Sequence, residues 1–121
     1  MKLYVAGPMT GIEHNNFPAF EEAATRLRGC GYDVLAAHEV ALPCGCRSSL
    51  NPCGPAGHEY ETFLRNDLMA LLGHAEGIAL LPGWEGSNGA KLEVEVGGRL
   101  AIPAHSVRYW SIVRAARPVS A

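Results

Sequence analysis

Short apolar runs separated by helix-like segments constrain this chain more than any other feature. "KLYVAG" (residues 2–7), "YDVLA" (32–36) and "GIALLP" (77–82) read as buried strands. The segment "NNFPAFEEAATRLRGCG" between the first two reads as a helix. Asn16 can cap it, Pro18 suits its first turn, and Glu21 and Glu22 favour its positive end. Phe20, Ala23, Ala24 and Leu27 fall at helical spacing, and Gly29 or Gly31 stops the helix. "EYETFLRNDLMALLGHA" (59–75) is the clearest helix, with Tyr60, Phe63, Leu64, Leu68, Leu71 and Leu72 in one stripe. "AIPAHSVRYW" supplies a last strand near its start, and the tail "SIVRAARPVSA" is expected as a weak helix that frays.

Alternation of this kind implies a parallel sheet with helices on both faces, an α/β three-layer sandwich of Rossmann- or flavodoxin-like type. The 121 residues fit one domain (1–121), with a Cys-rich loop inserted at about 37–58. Apolar residues make up 48% and charged residues 18%, so the chain is globular rather than disordered. A net charge of −2 gives no basic surface for nucleic acid or an anionic membrane. No apolar run reaches membrane-spanning length, and "MKLYVAGP" is too short for a signal peptide. The expectation is a cytoplasmic protein.

In parallel sheets ligands bind beyond the carboxyl ends of the strands. Two glycine-rich segments fall there, "GPMTG" after the first strand and "PGWEGSNG" after the third. Either can be a plain turn, or a place where backbone N–H groups cradle a phosphate. "AKLEVEV" next to the second is ambiguous in itself. As a strand it puts Glu93 and Glu95 on one solvated face; as a helix it points them about 200° apart, so only one faces a ligand. The need to cross back over the sheet favours the helix, with Glu93 one turn before the small Gly97.

Asp67 is out of place. It lies four after Phe63 and four before Leu71, inside an apolar stripe. A carboxylate there is either satisfied by a neighbouring loop or arginine, or belongs to an active site. Tyr4 on the first strand points either into the core or toward the same edge. Cys44, Cys46, Cys53 and His58 form C-x-C-x6-C-x4-H, four soft ligands within fifteen residues. They suit a structural zinc site, or are reduced thiols in a loop.

"LYVAGPMTG", "FLRNDLMALLGHAEGIALLPGW" and "GSNGAKLEVEVGGRLAIP", in that order, resemble the nucleoside 2-deoxyribosyltransferase-like superfamily. The likeness extends to its 2'-deoxynucleoside 5'-phosphate N-hydrolases and above all to the small DUF4406 proteins common in bacteriophage and bacterial genomes. It spans about residues 1–105. The resemblance implies Glu93 as nucleophile, Asp67 at the reaction centre and Tyr4 as the residue orienting the nucleophile. It places Gly7, Met9, Thr10, Gly11, Ser87 and Gly89 around a 5'-phosphate. Two departures are visible: Met9-Thr10 where the hydrolases often carry arginine, and Glu95 where a small residue is common. The implied activity is hydrolysis of the N-glycosidic bond of a (deoxy)nucleoside 5'-monophosphate, giving free base and (deoxy)ribose 5-phosphate. Base exchange by a deoxyribosyltransferase and a catalytically inactive nucleotide-binding or sensing module are the alternatives. The resemblance further implies that no cofactor is required, a homo-oligomer such as a dimer, and host cytoplasm if a phage encodes the chain.

Overall fold

Four strands, β1 (Lys2–Ala6), β2 (Asp33–Ala36), β3 (Gly77–Leu80) and β4 (Ala104–Ser106), pair in parallel throughout, in the order β2-β1-β3-β4. The structure, a computed structural model, describes residues 1–47, 53 and 58–116. Residues 48–52 and 54–57 of the Cys-rich loop, and the tail from 117, lie outside the described residues. Helices α1 (Phe17–Gly29) and α4 (Val107–Ala116) pack together, as do α2 (Tyr60–His74) and α3 (Asn88–Arg99). With right-handed crossovers the two pairs cover opposite faces of the sheet, as the alternation of elements implied. The central strands are accordingly apolar on both faces. Residues 3–6 of β1 and all of β3 are buried, which is why they read as continuous apolar runs.

"AKLEVEV" is helical, part of α3. Ser87 caps it: its hydroxyl accepts a hydrogen bond from the Ala90 N–H at 3.2 Å. Ala90, Glu93 and Gly97 form the buried line of this helix, and Glu95 is exposed beside Arg99 at 3.6 Å. The bare face of Gly97 is occupied by the sheet and not by a ligand, since a Cβ there would meet Ile78 Cδ1 at 2.8 Å.

Two local expectations need correction. Asn16 stands at the start of α1 but does not cap it. His14, Asn15 and Asn16 all have positive φ (54°, 51° and 61°), and the Asn16 amide instead donates to the Pro8 carbonyl at 2.9 Å. The last strand falls near the start of "AIPAHSVRYW" as expected, at Ala104–Ser106, and residues 107–110 start α4. Trp110 is buried, its indole N–H donating to Ile78 O at 2.8 Å and its own carbonyl accepting from the Tyr32 hydroxyl at 2.7 Å. In α2 only Leu71 of the apolar stripe is buried; Phe63, Leu64 and Leu68 are half-buried, and Tyr60 and Leu72 are exposed. The first turns of α2 lie over a cavity, which explains the loose burial of Phe63 and Leu64.

The end of α3 carries a small strain. Ile102 N–H bonds back to Gly97 O at 2.8 Å and Ala101 N–H to Gly98 O at 3.4 Å, the pairing of a Schellman cap. That cap needs a left-handed residue, and here it is Ala101, at φ 62°. Ala101→Gly is expected to stabilise the protein by about 1 kcal/mol, a rise of roughly 4 °C in a thermal melt.

Candidate active site

The order β2-β1-β3 places a topological switch between β1 and β3, where their chain exits diverge. A cavity of about 360 Å³ opens there. Gly7, Met9 and Thr10 line it from the loop after β1, Ser87 and Gly89 from the start of α3, and Ala90 and Glu93 from deeper along that helix. Tyr60, Phe63, Leu64 and Asp67 complete it from α2, with Ala37 and His58 at the remaining wall. Of the sequence-derived candidates for catalysis and phosphate binding, all but Tyr4 and Gly11 line it. Tyr4 lies fully buried beneath, on β1. Gly11, at φ 82°, sits to one side in a turn closed by Ile12 N–H to Met9 O and shapes the loop without lining the cavity. At Gly7 a Cβ would fall 2.7 Å from Leu81 Cβ, so only glycine lets this loop pass the chain leaving β3.

Two carboxyls occupy positions that other turns of their helices give to apolar side chains. Glu93 is 5% exposed on the sheet-facing line of α3. Burial pushes its carboxyl up to about 8; the Tyr4 hydroxyl works against that rise and the Asp67 charge adds to it. Burial likewise pushes Asp67 up to about 7. Tyr4 on β1 is fully buried, and its hydroxyl is pushed well above its usual range by burial and then by the Glu93 and Asp67 charges. Tyr4 Oη and Glu93 Oε2 both remain without a well-formed hydrogen bond among the described residues. They face each other closely enough to interact electrostatically, and each has capacity left for a further partner. Buried polar atoms without partners are rare, and they cluster where a ligand is meant to complete them.

A family model described as a domain of unknown function, DUF4406, matches residues 1–105. The chain belongs to the DUF4406 family. No curated protein and no solved structure matches it. The matched region holds all four strands up to His105 and every residue of the cavity, leaving the whole of α4 beyond it.

Other parts of this DUF4406 domain are less legible in the sequence. Tyr60 reads as part of a core stripe, yet its hydroxyl stands 3.1 Å from where a Cβ on Gly89 would be, across the cavity mouth. Burial and the Glu93 and Asp67 charges raise its pKa. His58 reads as a metal ligand only, yet it also lines the cavity, its ring edge-on to Phe63 at 5.9 Å. The donor atoms of Cys44, Cys46, Cys53 and His58 all lie within 4.8 Å of one another, so the cluster could hold a metal ion. All four cysteines are free thiols. Within the cluster, hydrogen bonds from Cys46 hold the Cys44 thiol down to about 6, and those to Cys46 and Cys44 push Cys53 up to about 11. Among the described residues, no helix is long and apolar enough to cross a membrane.

A larger cavity of about 670 Å³ lies between α1, the turn after β3 and the start of α4. It is lined largely by aliphatic groups, with Glu22, Glu85, Arg26 and Arg108 at its margins, all of them exposed. The smaller cavity is the better candidate because it alone gathers perturbed carboxyls among the described residues, Glu93 buried and Asp67 half-buried.

Proposed function

We propose that the chain is an N-glycosidase acting on a (deoxy)nucleoside 5'-monophosphate. The observation that carries the reading is the pair Asp67 and Glu93. Two carboxyls, brought from separate helices into one cavity, are both raised toward neutral pH. Near neutrality such a pair holds about one proton between them. Cleaving a glycosidic bond uses one carboxylate and one carboxylic acid, and develops positive charge at C1'.

In the proposed reaction Glu93 attacks C1' as the carboxylate. The C1'–N bonding pair leaves with the base, which takes a proton from Asp67, and a covalent glycosyl-enzyme remains. Water then attacks C1', giving its proton to Asp67 and restoring the Glu93 carboxylate. Before substrate binds, the proton favours Glu93, the more deeply buried group. A cationic sugar ring and the Tyr4 hydroxyl both pull negative charge onto Glu93, shifting the proton to Asp67 as the reaction requires. Neither step calls for a cofactor. Backbone N–H groups at the start of α3 and in the Gly7–Thr10 loop are suited to a 5'-phosphate.

One feature supports base exchange on an uncharged nucleoside as a second reading. Among the described residues the cavity lining contains no lysine or arginine, so nothing in it neutralises a phosphate dianion by full charge. Incubation with each nucleoside monophosphate and each nucleoside, with free base followed by chromatography, separates the two. The expected result is base release from monophosphates at least about tenfold faster than from nucleosides, the step that one added charge-assisted contact supplies. Base exchange between nucleosides would favour the transferase. Nucleotide binding without release of base would leave a binding module.

The reading also includes a homo-oligomer, supported by Met69 and Leu72, which leave apolar surface exposed on the helix that carries Asp67. It includes zinc at the thiol–imidazole cluster, because three thiols and one imidazole are the donor set zinc prefers.

A further inference from the structure

The cysteine cluster and the cavity share a residue. His58 stands just before Glu59, the residue at the N-terminal cap of α2. Its Nε2 faces Cys44 Sγ at 3.3 Å, while its ring packs edge-on against Phe63 and forms part of the cavity wall. We propose that a zinc ion held by Cys44, Cys46, Cys53 and His58 clamps the first turn of α2 and thereby builds the substrate-binding wall of the cavity. The substrate part of this inference rests on the glycosidase reading; the clamp does not.

The geometry suits the ion. A tetrahedral zinc with bonds of about 2.3 Å to sulfur and about 2.05 Å to nitrogen puts its ligand atoms roughly 3.6–3.8 Å apart. The four donors here, all within 4.8 Å of one another, need only small side-chain adjustments to reach that spacing. The turn that presents the first two ligands is already formed. Leu42 N–H bonds to Cys46 O and Gly45 N–H to Leu42 O, both at 2.8 Å, with Gly45 at φ 92° and Cys46 fully buried. Four protein ligands fill the coordination sphere, leaving no position for water or substrate, so the ion acts by holding chain and not as a Lewis acid.

The consequence for the cavity follows from where the ligands lie. Cys44 and Cys46 belong to the segment that leaves β2, and His58 belongs to the entry of α2. Joining them closes the long connection between those elements and removes loop freedom that would otherwise loosen the entry turn. A second tie runs in the same direction, Asn66 Nδ2 to Ala41 O at 3.0 Å. Tyr60, Phe63 and Leu64 stand on the clamped turns and make up one side of the cavity. Leu71, buried in the core, holds the far end of α2 independently of the metal. Loss of zinc should therefore loosen the start of α2 while the sheet and the end of the helix stay folded.

The test uses the full purified chain with and without zinc. Metal analysis and competition with a chromophoric chelator are expected to give one zinc per chain. Affinity should fall at least about a hundredfold when Cys44→Ser and Cys53→Ser are combined. Hydrogen exchange followed by mass spectrometry should show residues 58–64 exchanging at least about tenfold faster after chelation, with β1 and β3 unchanged. In assays on a nucleoside monophosphate, chelation should raise KM about tenfold and change kcat less than about threefold. The clamp is overturned if the chain takes up no zinc, if thiol titration reveals a disulfide among these cysteines, or if chelation leaves exchange at 58–64 unaltered. Unchanged KM with altered exchange overturns its role in substrate binding. Zinc-loaded protein that releases base from no substrate counts against the glycosidase reading alone, since stoichiometry and exchange still decide the clamp.

Discussion

Replacing Glu93 by glutamine is expected to abolish turnover and to make the protein more stable at pH 8. Glutamine keeps the size of the side chain and removes the nucleophile, so base release should fall at least about a thousandfold. The stability effect has a fixed sign. Glu93 has a folded-state pKa of about 8 against an ordinary value of 4.5. The folded protein thus holds that proton more tightly than the unfolded chain. The contribution is fully present below pH 4.5 and is lost as pH rises through about 8. Glutamine stays neutral throughout, so the variant escapes the loss. Its advantage should be absent near pH 4.5, grow from there to pH 8, and level off above. Each tenfold difference in proton affinity between the folded and unfolded chain corresponds to about 1.4 kcal/mol; allowing for the charge shared with Asp67, a gain of roughly 2–4 kcal/mol at pH 8 is expected. Thermal melts of both proteins at about pH 5 and pH 8 measure it. Equal melting temperatures at pH 8 would mean that Glu93 is not held in a costly environment, and full activity of the variant would remove it from the mechanism. A residue that is indispensable for turnover yet costs stability is the pattern of an active-site group and not of a structural one.

The sheet and the helix carrying Glu93 are legible in the sequence because their signals are local. Continuous apolar runs such as "GIALLP" mark strands buried on both faces, and the distinction between Glu93 and Glu95 follows from helical periodicity alone once the crossover is granted. Asp67 is legible as a breach of pattern, a carboxylate four residues from Phe63 and from Leu71. The features that stay hidden depend on partners distant in sequence. Asn16 has the composition of a cap, but the Pro8 carbonyl takes its amide. The place of Trp110 in the core is set by the Ile78 carbonyl and the Tyr32 hydroxyl, both far from it in sequence. Tyr60 and His58 become cavity residues only because α2 begins beside the start of α3 and beside the cysteine turn. The DUF4406 match establishes the family and carries no activity with it, so the chemistry is argued from the carboxyl pair.

The variant Asp67→Asn separates the roles within that pair through its pH dependence. In the parent protein the proposed reactive form has one proton on two carboxyls. Burial raises Asp67 to about 7 and Glu93 to about 8, so that form should be most populated at mildly alkaline pH. Activity is expected to follow a bell, falling toward acid as both groups become protonated and toward alkali as both ionise. Asparagine cannot donate the proton, so kcat should drop by about 10²–10³. The shape should change as well. Only ionisation of Glu93 then matters, and the residual rate should rise with pH to a plateau without an alkaline fall. Because the Asp67 charge helps hold Glu93 up, removing it should move the rise to lower pH than Glu93 alone would show in the parent protein. A substrate whose base is a good leaving group without protonation should regain most of the lost rate in the variant, since it no longer needs the acid. If the bell survives in Asp67→Asn, another group supplies the proton. Tyr60, whose hydroxyl reaches across the cavity to Gly89, would then be the residue to replace.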